Sequence, residues 1–153
     1  MRIAHHAVAK GRSRLVTIGL GSCVAIVIHD RVAKIGGLAH VLLPDASLGR
    51  GVENRARYAS TAVPLLIEEM KAMGANGPYV ATLVGGAALF GPLLSWGGSV
   101  GARNVAAARK ALGAVKIPVE AEEVGGESGR TMSIDVTTGK VRVRSVRGAE
   151  RVL

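Results

Sequence analysis

The 153-residue sequence is predicted to fold as an α+β domain with mixed or antiparallel sheets. Runs rich in β-branched residues recur along the whole chain, whereas only two segments have the apolar spacing of a helix. These elements do not alternate regularly enough for a doubly wound α/β fold. Apolar residues make up 48% of the sequence, and no repeat, linker or low-complexity tract interrupts it. We therefore expect one domain that spans residues 1–153.

Four strands are predicted in the N-terminal part of the chain. They cover residues 3–8, 14–20, 24–29 and 35–43. Gly19 and Gly21 allow a sharp or bulged backbone between the second and third strands, and Pro44 ends the fourth. The polar, turn-rich segment 45–59 that follows is predicted to be a mobile loop beside the functional site.

The first helix is predicted to run from Thr61 to Met73. Ser60 is the expected N-cap and Gly74 the expected stop. Pro64 is compatible with this start, because an N–H in the first turn has no partner within the helix. The apolar face of this helix comprises Val63, Leu66, Ile67 and Met70.

The second half of the chain is predicted to contain one helix and four strands. The helix runs from Val100 to Leu112, and Gly113 is its expected stop. The strands cover residues 79–84, 117–124, 131–136 and 141–146. The last two form a hairpin around the sequence TTGK, in which Gly139 is expected to take a positive φ.

The formal net charge of +9 indicates an acidic partner. Nucleic acid is disfavoured, because aromatic residues make up only 3% of the chain and its basic residues are dispersed. The densest basic cluster is Arg142, Arg144 and Arg147, and an acidic protein surface is the favoured partner. No apolar run approaches ~18 residues and no signal sequence is visible, so we expect a cytoplasmic protein without membrane insertion. The absence of a sustained apolar stripe favours a monomer.

The single cysteine, Cys23, lies where a glycine-rich turn meets a β-like run, and His40 lies on the next run. A thiol at this junction is expected to be exposed to substrate and close to backbone N–H groups. Together with one histidine on a neighbouring strand, it supplies the minimum parts for nucleophilic catalysis. Strand alternation places His40 on an apolar face that would shelter a thiolate–imidazolium pair. Inert packing of Cys23 and His40 in the core is the alternative interpretation.

Two further groups would complete such a site. Thr17 and Ser22 are candidates to orient the imidazole through a hydroxyl, whereas Asp30 and Asp45 lie at strand or loop ends. The N–H groups of Gly21, Ser22 and Cys23 are candidates for an oxyanion hole. No spacing for zinc and no phosphate-binding loop is found, so no cofactor is expected. Phe90 and Trp96, flanked by Gly and Pro, form either part of the core or a contact for a partner or substrate.

The sequences TIGLGSC, GGLAHVLLP, GGAALF and VGARN, with a late GG-x-x-x-R, resemble the chemoreceptor glutamine deamidase family, CheD, nearly from end to end. The resemblance implies a layered arrangement around a β-sandwich, as in bacterial toxin-type cysteine deamidases. It maps the family's catalytic cysteine, histidine and threonine onto Cys23, His40 and Thr17.

The implied activity is hydrolysis of glutamine side chains on the cytoplasmic helices of methyl-accepting chemotaxis receptors. Hydrolysis of glutamate methyl esters is an implied side activity, and the phosphatase CheC is an implied partner. A regulatory binding module with little catalysis, which engages CheC or a receptor, is the alternative function.

Overall fold

A computed structural model describes residues 1–48, 54–89 and 99–153, and these residues form nine strands and two α-helices. The strands are His6–Lys10 (β1), Arg14–Leu20 (β2), Val24–Asp30 (β3), Ile35–Val41 (β4), Tyr79–Gly85 (β5), Val119–Val124 (β6), Arg130–Asp135 (β7), Val141–Ser145 (β8) and Glu150–Val152 (β9). The helices are Ala59–Ala72 (α1) and Val100–Ala114 (α2), and the segments Ala46–Leu48 and Arg55–Arg57 form short 3-10 turns. Neither α-helix is long and apolar enough to cross a membrane.

The strands form two sheets. One has five strands in the order β1-β4-β3-β5-β6 and the other has four in the order β2-β7-β8-β9. Neighbouring strands are antiparallel except for β5 and β6, which are parallel and are connected through α2. The α+β class with mixed sheets, predicted from the sequence, is confirmed.

The five-stranded sheet is the middle layer, with buried side chains on both of its faces. On β3, Val24, Ile26 and Ile28 belong to the apolar core that includes both helices. Cys23, Ala25 and Val27 belong to a second core shared with the four-stranded sheet. A strand that is buried on both faces has apolar residues at every position, which explains the sequence VAIVI at residues 24–28. The residues around Cys23 therefore lie between two sheets, in a β-sandwich.

Helix α1 begins two residues earlier than predicted, and Ser60 is not its N-cap. The N–H groups of Ala59 and Ser60 donate to the carbonyls of Leu43 and Pro44, at 3.0 and 3.2 Å. These tertiary bonds satisfy donors that would otherwise need a side-chain cap, and Tyr58 occupies the cap position instead. Pro64 consequently lies in the second turn, where its missing N–H removes one intrahelical bond.

Helix α2 continues through Gly113, so the prediction of a stop at that residue is wrong. Its C-terminus has the hydrogen bonds of a Schellman motif. The N–H of Ile117 donates to the carbonyl of Leu112 at 3.0 Å, and the N–H of Lys116 donates to the carbonyl of Gly113 at 3.1 Å. Lys116 takes the left-handed conformation, with φ +58°, that was expected of glycine. At the other end, Ser99 accepts a bond from Ala102 N–H at 3.1 Å as the N-cap.

Several strand limits also differ from those predicted. Strand β1 lies about two to three residues later than expected, at His6–Lys10, and β4 ends at Val41. Strand β6 begins at Val119, and the short β9 was not predicted. The hairpin of β7 and β8 is confirmed, with Gly139 at φ +75° in its turn.

Candidate active site

A hydrogen bond between Thr17 and His40 joins the two sheets. Thr17 lies on β2 and His40 on β4, and both side chains face the core between the sheets. The distance from Thr17 Oγ1 to His40 Nδ1 is 2.7 Å, and both residues are fully buried. Of the four orienting groups weighed from the sequence, Thr17 is the one that contacts the imidazole.

The direction of this bond follows from a second contact. Thr17 Oγ1 donates its only proton to the carbonyl of Met1, at 3.1 Å. The tautomer that satisfies both contacts has the imidazole proton on Nδ1, from which the hydroxyl oxygen accepts. The other ring nitrogen, Nε2, then carries a lone pair, and among the described residues it has no hydrogen-bond partner. A buried acceptor in this state is available as a base.

Cys23 lies on the same face of the sheet as His40 and diagonally across from it. Ala25 of β3 pairs directly with His40 of β4, and Val24 pairs with Val41. Cys23 lies two residues before Ala25, so alternation gives both residues the same face, where they share one core with Leu38. Diagonal neighbours on antiparallel strands are within reach of a ring side chain. The register thus places the thiol and the imidazole on one face of the sheet as diagonal neighbours.

Burial controls the charge of both groups. It lowers the pKa of His40 to about 4, and nearby positive charge acts in the same direction. Burial also raises the pKa of the Cys23 thiol, although the residue's own backbone N–H partly offsets this effect. Desolvation disfavours the charged form of each group. Both shifts favour a thiol and a neutral imidazole over the thiolate–imidazolium pair expected from the sequence.

The turn before Cys23 contains a bulge that presents backbone N–H groups. The pairing of β2 with β7 shifts between Thr17 and Leu20, and Gly19 there has φ +71°. Gly21 N–H donates to the Gly19 carbonyl at 3.1 Å, so it is already engaged. Within the described residues, the N–H groups of Ser22 and Cys23 donate to no other backbone group. The oxyanion hole expected from Gly21, Ser22 and Cys23 stays a prediction, in which Ser22 and Cys23 are the candidates whose N–H groups bind no other backbone group of the described chain.

The comparisons with known proteins agree along nearly the whole chain. The family model described as CheD chemotactic sensory transduction matches residues 42–145. A chemoreceptor glutamine deamidase CheD from Thermotoga maritima is 44% identical over 98% of this chain and 93% of its own length. Probable chemoreceptor glutamine deamidases CheD from Desulforamulus reducens and Pyrococcus abyssi are 39% and 43% identical, over 99% and 97% of this chain and 92% and 91% of their own lengths. This chain belongs to the CheD family.

One buried residue of this CheD-family chain was not singled out from the sequence. Asn104 of α2 is fully buried, and its Nδ2 donates to the carbonyls of Ser22 and Leu42, at 2.9 and 3.0 Å. Ser22 precedes Cys23, and Leu42 follows His40 by two residues, so one amide ties together the backbone at both groups. The available signal was a single asparagine within an alanine-rich helix.

Glycine at position 101 allows α2 to approach closely enough for this contact. A Cβ on Gly101 would lie 2.4 Å from the carbonyl oxygen of Gly86, at the end of β5. Any side chain at position 101 would push the first turn of α2 away from the sheet. The position of Asn104 in this CheD-family chain therefore depends on Gly101.

The other candidates from the sequence lie elsewhere. Asp30 accepts four backbone N–H bonds, from Val32, Ala33, Asn76 and Gly77, at the far end of β3 from Cys23. Asp45 accepts a bond from Ser47 N–H. Phe90 and Trp96 lie outside the described residues. Across the ranges 1–48, 54–89 and 99–153, no group of three or more His, Cys, Asp or Glu side chains converges on a possible metal site.

Proposed function

We propose that this protein hydrolyses the side-chain amides of selected glutamines on the cytoplasmic helices of methyl-accepting chemotaxis receptors. The observation that carries the proposal is the 2.7 Å bond between Thr17 and His40, which orients a neutral base toward the face occupied by the only thiol. The names of the relatives supply the substrate, because they describe chemoreceptor glutamine deamidases.

The first half of the reaction forms a thioester. His40 Nε2 removes the proton from Cys23 as the sulfur attacks the carbonyl carbon of the glutamine side chain. The N–H groups of Ser22 and Cys23 stabilise the resulting oxyanion. When the tetrahedral intermediate collapses, the proton on Nε2 passes to the departing nitrogen, and ammonia leaves. Thr17 keeps the imidazole in the required tautomer throughout.

The second half releases glutamate. His40 Nε2 removes a proton from a water molecule that attacks the thioester carbonyl. A second tetrahedral intermediate forms, and its collapse expels the Cys23 sulfur, which recovers the proton from Nε2. The products are a glutamate side chain and the original thiol.

The same steps extend to a glutamate methyl ester, in which methanol leaves in place of ammonia. We propose this as a side activity, because the thioester intermediate is common to both substrates. Association with a CheC-type phosphatase is a prediction from the family resemblance. Deamidation is the principal function that we propose, and it is supported by a thiol and a Thr17-bonded imidazole on one face of the sheet.

Mass spectrometry of a receptor cytoplasmic fragment tests the proposal. Incubation with the protein is expected to raise the mass of particular glutamines by about one dalton, because hydrolysis replaces NH₂ with OH. The fragment incubated alone is the control. No mass change across several receptor fragments, with binding intact, would contradict deamidation and favour the regulatory binding module.

Asn104→Leu is expected to lower kcat about 10- to 100-fold and to leave KM within about twofold, since small displacements of catalytic groups impair turnover strongly. The substitution removes both donors that hold the Ser22 and Leu42 carbonyls while keeping a side chain with the same branching at Cγ. Unpaired buried carbonyls also cost about 1–3 kcal/mol each in stability. Steady-state kinetics below the melting temperature of the variant measures the effect.

Leu112→Ala is the matched control for this prediction. Leu112 is a fully buried residue at the other end of α2, and its truncation costs about 2–5 kcal/mol without touching the site. If both variants lose the same fraction of kcat, Asn104 contributes only to stability and has no positioning role.

A further inference from the structure

A groove lined by arginines begins at the turn that precedes Cys23. Its lining includes Gly19, Gly129, Arg130, Arg144, Val146 and Arg147, a set that we call the arginine groove. The groove has a volume of about 540 Å³. It continues past Gly129 and Val146 to Leu89, whose side chain lies against Gly21. The groove therefore runs along the surface up to the turn that leads to the thiol.

The charge of the arginine groove is mostly uncompensated. Arg144 and Arg147 are exposed, and neither takes part in an ion pair with any residue that the structure describes. Arg130 is largely buried and pairs with Glu123 at 3.6 Å. Glu127 is the acidic residue on the extension toward Leu89. Two free guanidinium groups favour a ligand with carboxylates, which they bind in a forked geometry.

Exposed apolar side chains border the same groove. Val146 is 81% exposed and Leu89 is 46% exposed, and Ile18, beside Gly19, is 60% exposed. Aliphatic side chains next to arginines suit a polypeptide that has both apolar and acidic residues. They do not suit single-stranded nucleic acid, which requires aromatic stacking surfaces that this chain, at 3% aromatic residues, largely lacks.

We propose that the arginine groove binds an acidic segment of the protein substrate that flanks the reacting glutamine. This inference rests on the proposed function and adds a determinant of which glutamines are chosen. A glutamine near carboxylates would be held over Cys23, whereas one in a basic stretch would be repelled.

A double charge reversal, Arg144→Glu with Arg147→Glu, tests the proposal. We expect KM for a receptor fragment to rise at least tenfold, with kcat within about twofold, because neither residue touches the reacting groups. Arg12→Glu with Lys116→Glu is the matched control. It makes the same change in net charge on two exposed residues. Arg12 and Lys116 lie near the ends of β2 and β6 that are remote from Cys23. This control should leave KM within about twofold of the wild-type value. Rising salt concentration should weaken binding of the receptor fragment more for the wild type than for the groove variant.

Direct binding of a labelled fragment, measured by fluorescence anisotropy, keeps this test independent of turnover. Weaker binding in the groove variant alone supports the proposal. Equal binding by the groove and control variants overturns it, even where the wild type deamidates the fragment. Two other results also overturn it: a wild-type dimer that the groove substitutions dissociate, or tighter binding of a single-stranded RNA that the same substitutions abolish. Absence of deamidation with groove-dependent binding would instead refute the proposed function alone.

Discussion

Cys23→Ala is expected to abolish deamidation, with kcat reduced by about 10⁴-fold or more, because removal of a nucleophile that acts with a base eliminates the covalent route. Cys23 is the only cysteine in the chain, so no second thiol can replace it. The measurement is the mass shift of receptor glutamines over time, compared with the wild type. Binding of the receptor fragment should be unchanged, since the variant removes a single sulfur atom.

Cys23→Ser is the companion variant, because it keeps the size of the side chain and replaces the sulfur with a weaker nucleophile. We expect it to be nearly as inactive as Cys23→Ala. Both variants should remain folded, because Cys23 is one small member of the core between the sheets. Substantial turnover by a folded Cys23→Ala variant would show that another group attacks the amide, and the thioester mechanism would be abandoned.

Cys23, His40 and Thr17 of the proposed site could be named from the sequence, but their contacts could not. Residue types alone indicated Cys23 and His40 and left both Thr17 and Ser22 open as the group that orients the imidazole. The family resemblance pointed to Thr17, and the structure shows its contact with His40 at 2.7 Å. This choice depends on how the four-stranded sheet packs on the five-stranded one. Packing between sheets leaves little trace in the local pattern of either strand.

The charge state of the site illustrates the same limit. An apolar face around His40 was read from the strand pattern, and that face was expected to shelter an ion pair. In the structure, burial lowers the pKa of His40 and raises that of the Cys23 thiol, so both shifts favour the neutral pair. Sequence alternation identifies which face is apolar, but it does not give the degree of desolvation.

The helix ends and Asn104 were missed for a related reason. Capping rules are local, and they selected Ser60 because its side chain suits an N-cap. The carbonyls of Leu43 and Pro44 satisfy the helix instead, and these come from a neighbouring segment. Likewise, Asn104 gains its role only because α2 lies against the ends of β3 and β4.

His40→Gln is expected to lower kcat/KM about 10³-fold, since it removes the general base and keeps a side chain that can bond to Thr17. For the wild type, kcat/KM should not change between about pH 5 and 8. At the acid end the base is lost only as pH falls toward the His40 pKa of about 4. At the alkaline end the thiol stays protonated, because its pKa lies above the ordinary value. Thr17→Val, which removes the acceptor for Nδ1–H, should cause a smaller loss of about tenfold.

The same pKa makes stability depend on pH. The pKa of His40 is about 4 in the folded protein and near 6.5 in an unfolded chain, so the unfolded state binds more protons between these values. The stabilisation from neutral His40 is fully present above about pH 6.5 and is lost as pH falls toward 4. Its size is about 3 kcal/mol. In urea unfolding, the free energy of unfolding should therefore fall less between pH 7 and pH 4 for a folded His40→Gln variant than for the wild type.

Alkylation by iodoacetamide decides between the neutral pair and a stored ion pair. The reactive form is the thiolate, and the raised pKa of Cys23 makes it scarce at pH 7. The alkylation rate should rise about tenfold per pH unit between pH 7 and 8.5, because the thiolate fraction rises by that factor below the pKa. The His40→Gln variant should show the same dependence on pH. A fast, pH-independent rate near pH 7 that His40→Gln abolishes would contradict this prediction. It would mean that His40 already holds the proton of Cys23 before the substrate arrives, and that the base acts ahead of the attack and not during it.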